Sequence, residues 1–365
     1  MVQTSREVVD ALLRGRPAER VGLHDSPWRD TLERWTTEGM PTDAEGKPVD
    51  PIDHFGFDLA GCGGWFDYHP KRGVDELVEE TDEWKITRNG SGAERRWWKN
   101  KSGTPEHIRF HMASREIWGR EYRPHLLELD PGRVDIEGAK QRLARRRDQG
   151  LWTYFGHHFI WEGMRMSMGD ETMYMSLAAD PDWIHDYNRV YTDFYKGHFK
   201  LLLEQAGLPD GAWLYEDLGY KENLFCSPKT LAELIFPYFA ELVEFFHGYD
   251  LPVVLHTCGY TEPALDLAVE AGFDALNPME VKAGNRPLRI AEQYADKLAF
   301  IGGLDARVLE SGDRDLIRRE VTGLVEGMKA RGARYVFGSD HSISTNVAYD
   351  DFRFALDVYR AHMAY

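Results

Sequence analysis

The sequence predicts an α/β fold: a TIM (β/α)8 barrel carrying an antiparallel, Trp-rich insertion in its N-terminal part. Three observations carry that expectation. From about residue 136 onward, short apolar runs alternate with amphipathic segments, the signature of parallel βαβ units. Several amphipathic segments stop at a glycine just before the next apolar run, as at Gly150 and Gly207, where a helix C-cap belongs. Six βα units are legible after residue 136, and the early runs "RVGL" and "FGFDLAG" bring the strand count to about eight. No GxGxxG follows the first strand and no GxxxxGK[ST] occurs, so a dinucleotide fold or a P-loop has little support. A doubly wound open sheet is the competing arrangement.

The elements follow in order. "SREVVDALLR", residues 5–14, spaces its apolar side chains as a helix behind a Thr/Ser cap. Residues 60–135 have another texture, with Gly61, Gly63, Gly64, many tryptophans and polar alternation. Breaks at Asn89-Gly90 and Lys101-Ser102-Gly103 predict hairpins there. No linker composition sets this segment off, so residues 1–365 read as one domain with an insertion at about 60–135. After it come the helix "IEGAKQRLARRRDQG", the strand "LWTYFGHH", a long helix from Asp180 to Gly207 and the strand "AWLYEDLG". The next helix begins at Ser227 as its cap, with Pro228 in the first turn and Pro237 as a kink. "LPVVLHTCG", "FDALNP", "LAFIGG" and "ARYVFGSDH" are strands, with a helix after each and "YDDFRFALDVYRAHMAY" closing the chain.

Composition narrows the function classes. A formal net charge of −17 over 365 residues and a pI near 5.3 argue against a nucleic-acid partner, because such a chain repels phosphate backbones. No run of 18 apolar residues exists, so no membrane span is expected. The N-terminal residues are charged throughout and unlike a secretory signal. Three widely spaced cysteines, Cys62, Cys226 and Cys258, do not make a disulfide framework, and a reducing cytoplasm is the expected location.

In a parallel barrel all strands finish on one face, so residues that follow the apolar runs share a neighbourhood. Here those residues are His157 and His158, Glu216 and Asp217, His256 and Cys258, Asn277 and Glu280, Asp305, and finally Ser339, Asp340 and His341. A lone histidine after a strand is usually a satisfied packing residue. Six successive strand ends that can ligate, protonate or orient are harder to dismiss. His256 and Cys258, at i and i+2, point the same way on an extended strand. Imidazole plus thiolate suits zinc better than magnesium or calcium. A third ligand is then required, with Glu216, Asp217, Glu280, Asp340 and His341 in reach of the same face. Aromatic residues including Trp28, Trp65, Tyr154 and Trp161 serve mostly as core, and a subset at the barrel mouth would form a flat pocket.

The stretches "SREVVDALLRGRPAERV", "EDLGYKENLFCSPKTLAELIFPYF", "LHTCG", "NPMEVKAG", "IGGLDARVL" and "YVFGSDHSI", in this order, resemble the uroporphyrinogen decarboxylase superfamily over nearly the whole length. The resemblance implies a TIM barrel and one of two activities. One branch decarboxylates uroporphyrinogen without metal or cofactor. The other comprises zinc-dependent methyltransferases that exchange methyl groups with a corrinoid protein or a thiol. Where the decarboxylases carry an arginine-rich stretch for substrate carboxylates, this chain has "DSPWRDTLERW", whose Asp25, Asp30 and Glu33 would repel them. The chain therefore looks closer to the methyltransferase branch, with His256 and Cys258 matching its His-x-Cys. The later cysteine of that branch is replaced by "FGSDHSI", which leaves Asp340 or His341 to complete a zinc site.

The expected enzyme is thus a metal-dependent methyltransferase or O-demethylase. Glu216, Asp217 and Glu280 would handle protons. Trp28, Arg29, His157, Ser227 and Asp305 would contact substrate. A corrinoid protein is the expected partner and a homodimer the expected assembly. The alternative enzyme is a metal-free decarboxylase with Asp217 facing a cationic intermediate and Arg29, Arg34 or His341 on carboxylates. A barrel that binds a ligand without turnover is the third reading.

Overall fold

The computed structural model describes residues 2–100 and 103–365. Fourteen strands form among them. They are β1 (Gly22–Leu23), β2 (Leu59–Gly63), β3 (Asp75–Glu80), β4 (Trp84–Asn89), β5 (Ala93–Trp98), β6 (Glu106–Phe110), β7 (Trp152–His158), β8 (Gly211–Tyr215), β9 (Gly219–Tyr220), β10 (Asn223–Leu224), β11 (Val253–His256), β12 (Ala275–Asn277), β13 (Ala299–Ile301) and β14 (Arg334–Phe337). Eight of them make one parallel sheet in the order β1-β14-β13-β12-β11-β8-β7-β2. That order is the chain order read around a circle, so the sheet curls in the TIM-like manner. Between its two edges the Asp58 amide donates to the Leu23 carbonyl at 2.8 Å.

The β3-β4-β5-β6 sheet is antiparallel and separate. It is the expected insertion, although the segment expected to hold it also contains β2, which belongs to the parallel sheet. Asn89 shapes the β4–β5 turn, its Oδ1 accepting from the amides of Ser91 and Ala93 at 3.0 and 3.1 Å. Of the second expected hairpin break, Lys101 and Ser102 lie outside the described residues.

Helices cover the curled sheet where amphipathic spacing places them, at 5–13, 136–148, 181–206, 287–294, 314–330 and 349–362. Pro237 does interrupt its helix, which breaks at Ile235 into 228–234 and 236–247. One long helix, Ile160–Ala179, has no amphipathic stripe to announce it, and Gly169 breaks it with φ 77°. A side chain at Gly169 would meet the Phe110 ring of the insertion at 2.5 Å, so the break is where the insertion docks. No helix among the described residues is long and apolar enough to cross a membrane.

Helix 5–13 decides which end of the curled sheet is open. Its start is fixed by a capping box between Thr4 and Glu7. Val8, Val9, Leu12 and Leu13 are buried against Leu59, Trp152, Trp213, Val254 and Val336 of the sheet interior. Burial of each such side chain contributes about 1.5–3 kcal/mol. The Arg6 amide donates to Gly150 at 2.8 Å, Arg6 pairs with Asp210 at 2.7 Å, and Arg334 reaches the Leu13 carbonyl at 3.4 Å. Residues 150, 210 and 334 sit at strand starts, so this helix closes the end where strands begin. Asp58 locks it there. Its carboxylate accepts from Arg20 at 2.7 and 2.8 Å, from the Leu23 amide at 2.7 Å and from the Ser5 hydroxyl at 2.5 Å. What remains open is the end where strands finish.

Candidate metal and substrate site

Strand register builds the site. Tyr215 of β8 lies beside His256 of β11, and His256 beside Asn277 of β12. Partners at one level of a parallel sheet project to the same side, so the three side chains share one row at the open end. Beyond that row the β8 and β11 loops clasp each other. The Leu218 amide donates to the Thr257 hydroxyl at 3.1 Å and the Cys258 amide to Asp217 Oδ1 at 2.8 Å. Gly259, with φ 82°, lies so close to Gly219 that any Cβ on it would fall 2.0 Å from the Gly219 carbonyl carbon. Only glycine permits that approach, and the approach brings Asp217 to Cys258.

Three donors converge there. Cys258 Sγ is 3.4 Å from His256 Nε2, and Asp217 Oδ1 is 3.7 Å from the same nitrogen. One ligand atom from each of the three lies within 4.8 Å of the others. Tetrahedral zinc, with bonds of about 2.0–2.3 Å, spaces its ligand atoms by roughly 3.3–3.7 Å, and the two separations from His256 Nε2 match that spacing. The tautomer fits too. Asn277 Nδ2 donates to the Ile301 carbonyl at 3.1 Å, which turns its Oδ1 toward His256 Nδ1 at 2.5 Å. His256 must therefore carry its proton on Nδ1 and aim the Nε2 lone pair at Cys258 and Asp217. Burial, with Asp217 and Glu280 adding to it, pushes the Cys258 thiol well above its ordinary range. A thiol so placed ionises when a cation takes the proton's place.

The trio lies on the wall of a cavity of ≈ 340 Å³. An aromatic row forms another wall. Tyr154 and Trp213 have ring centroids 4.9 Å apart, Trp213 and Tyr215 6.1 Å, and Tyr215 and His256 5.0 Å. Trp28, Thr104, Ser339, His341 and Ser342 complete the mouth. The end of β1 supplies His24 and Asp25. Burial depresses the His24 imidazole to about 4 and lifts the Asp25 carboxyl to about 6, the latter against hydrogen bonds from Ser339 and Ser26. Among the described lining residues there is no lysine or arginine.

The residues expected from sequence divide sharply. His256, Cys258, Asp217, Trp28 and His341 all line this cavity. Asp217, expected to move protons and also among the candidate third ligands, is the carboxylate of the three residues that could hold a metal ion. Asp340 is not a ligand here, because it is 0% exposed and its two oxygens accept the amides of Val281 and Ala306 at 2.7 and 2.8 Å. Glu216, also fully enclosed, accepts the amides of Phe159 and Trp161 at the start of helix 160–179 and lies outside the cavity lining. Glu280 accepts the Gly259 amide at 2.6 Å and so braces the loop that carries Cys258. These three carboxylates hold loops in place rather than face a ligand.

The other substrate contacts fare similarly. His157 is enclosed, with its ring nitrogens 2.7 and 2.9 Å from the carbonyls of His158 and Phe66. Ser227 caps helix 228–234 through the Thr230 amide at 3.1 Å. Asp305 caps helix 306–310 and pairs with Arg307 at 2.7 Å. Arg29 points into a neighbouring groove with Trp97 and Trp98 and pairs with Glu33 at 3.4 Å. Sequence reasoning missed His24 and the inner row Trp213–Tyr215, and took Asp25 only as a repelling charge, not as part of the cavity wall. The signal was present: "HD" follows "VGL" just as polar pairs follow the other apolar runs.

No curated protein matches the chain. Among solved structures, a methyltransferase from Methanosarcina mazei shares the fold with a TM-score of 0.66 at 14% identity, over 98% of this chain and 99% of that one. A B12-independent methionine synthase from a Shewanella species aligns with a TM-score of 0.40 at 12% identity, over 92% and 86% of the two chains. The sequence model described as Uroporphyrinogen decarboxylase (URO-D) matches residues 170–362, more than half of the chain and the part that holds Asp217, His256 and Cys258, and the protein belongs to the uroporphyrinogen decarboxylase family.

Proposed function

We propose that the protein is a metal-dependent methyltransferase of this family. It would move a methyl group between a small substrate and a thiol or a corrinoid protein, on a single TM-barrel domain working in the reducing cytoplasm. The observation that carries this reading is the convergence of Asp217, His256 and Cys258 at one end of the curled sheet. Asp217, His256 and Cys258 would hold zinc and leave a fourth position open. Bound there, zinc would supply Lewis acidity and stabilise a thiolate at neutral pH.

The chain's own residues do the rest. Asn277 fixes the imidazole, and Glu280 with Asn285 holds the loop rigid, the latter accepting the Thr261 amide at 3.0 Å. The Tyr154–Trp213–Tyr215 row offers a flat apolar face and excludes water from one side of the cavity. The lining disfavours the decarboxylase alternative, since a carboxylate-rich macrocycle would meet Asp25 and Asp217 with no lysine or arginine among the lining residues. A cavity of ≈ 340 Å³ is also at the small end of the roughly 300–1,000 Å³ that ligand sites span.

Metal analysis of the purified protein tests the reading. One zinc per chain is expected, and His256→Ala or Cys258→Ser should lose it while the fold survives. Methyl transfer to a thiol should fall with it. Full activity in a rigorously metal-free sample would end this proposal.

A further inference from the structure

The cavity has a chemistry that the metal trio does not explain. Its inner wall is aromatic, and its remaining charge is negative. Asp25 sits at the end of β1 with its Oδ1 2.7 Å from the Ser339 hydroxyl and 2.9 Å from the Ser26 amide, and its Oδ2 3.1 Å from the Ser339 amide. A carboxylate has about four acceptor sites, so these contacts fix it and leave capacity toward the cavity it lines. Among the described residues no lysine or arginine lines the cavity and Asp25 makes no ion pair. His24 beside it has a buried Nδ1 with no partner, its ring 5.5 Å from that of Trp213. A dication held by one thiolate and one carboxylate would be neutralised, so the cavity's excess negative charge resides on Asp25.

We propose that this cavity binds a small organic cation, an ammonium bearing methyl groups, against Tyr154 and Tyr215, with the buried Trp213 ring backing them and Asp25 as counter-charge. Aromatic faces attract such cations, and quaternary ammonium groups are recognised in this way. A neutral aromatic ligand would use the wall but leave Asp25 without a partner, and an anion would be repelled by it. A cation satisfies both walls at once. The net charge of −17 draws cations toward the protein from a distance. The inference names the substrate class of the proposed methyltransferase site and rests on that reading for the ion that balances Asp217 and Cys258 and for the chemistry after binding.

The test uses the full-length protein as purified and titration calorimetry, backed by tryptophan fluorescence. The probes are choline, tetramethylammonium and 3,3-dimethyl-1-butanol, the uncharged isostere of choline. Choline is expected to bind at least tenfold more tightly than the isostere. Asp25→Asn should remove at least that tenfold preference while binding of the isostere stays unchanged, and Tyr215→Leu should weaken both cations. No detectable binding of either cation, or equal binding of choline and its isostere by the wild type, overturns the proposal without requiring any variant to fold. Cation binding that depends on Asp25 in a protein that carries no zinc as purified would fault the methyl-transfer reading instead and leave this one standing.

Discussion

The two ends of the curled sheet use the same residue types to opposite purposes. At the closed end, Asp58 is buried and answered in full by Arg20, a backbone amide and Ser5. At the open end, Asp25 and Asp217 reach a cavity without any lysine or arginine in its described lining. A carboxylate drawn out of water is costly unless its charge is answered, and these two half-buried ones are met by hydroxyl and backbone donors with no lysine or arginine, which marks a place where a ligand can supply the missing charge. The three neighbouring acids Glu216, Glu280 and Asp340 show the control. They lie at the same open end, yet each accepts backbone amides and belongs structurally with Asp58.

The largest effect should come from breaking the closed end. Asp58→Ala leaves Arg20, 18% exposed at its side chain, without its partner and frees the β1–β2 junction. Removing one partner of a buried pair costs about 3–5 kcal/mol. Urea unfolding should show that loss, while zinc content of the remaining folded protein stays at one per chain. An unchanged midpoint would mean that helix 5–13 is held by apolar packing alone.

Asp25→Asn should move stability in the other direction. Its folded-state pKa of about 6 lies above the ordinary carboxyl value of 3.8, so the folded protein holds the proton more tightly than the unfolded chain. Stability contributed by the protonated form is present at low pH and is lost as pH rises from about 4 to about 6. The amide variant lacks that loss. Above pH 7 it should be more stable than the wild type by about 1–3 kcal/mol, shrinking toward zero near pH 4. A pH series of unfolding curves reads this directly. A variant less stable than wild type at pH 8 would show that Asp25 serves the fold, as Asp58 does.

Asn277→Ala sharpens the comparison inside the open end. It removes the acceptor that sets the His256 tautomer, leaving the three candidate ligand residues untouched. Loss of such a supporting hydrogen bond typically weakens metal affinity about 10–100-fold. Competition with a chromophoric chelator would measure it. Affinity equal to wild type would show that the imidazole is oriented by packing against Tyr215 rather than by Asn277.

Much of this arrangement was legible beforehand, and the reason is local. The i, i+2 spacing of His256 and Cys258 is readable as one side of an extended run, and the two stay together although β11 ends at His256 and Cys258 lies in the loop after it. Apolar runs with polar ends marked six strand ends without any knowledge of their partners. What could not be read locally is where a carboxylate points. Asp217 becomes a candidate ligand because Gly219 and Gly259 touch across two loops, and Asp340 ceases to be one because Val281 and Ala306 take both its oxygens. Those are contacts between residues far apart in the chain. β1 escaped attention as a site strand because it is only two residues long, and its short run carries little pattern. Helix 160–179 escaped because methionines and a broken middle erase its stripe.

The smallest effect tests a residue whose two sequence readings competed. Ser227 was expected both as a helix cap and as a substrate contact. Its hydroxyl accepts the Thr230 amide at 3.1 Å and it is exposed, away from the cavity lining. Ser227→Ala should therefore cost about 0.5–2 kcal/mol, the usual value for a lost N-cap. Ser227→Asp, which can cap equally well, should restore that stability. Zinc content, cation binding and the KM of methyl transfer should be the same in all three proteins. The two substitutions separate the roles because aspartate can replace the cap but would add a charge to any bound substrate. A rise in KM with Ser227→Asp, at unchanged stability, would place Ser227 in contact with substrate and extend the open-end site beyond the cavity that Asp25 and Asp217 line.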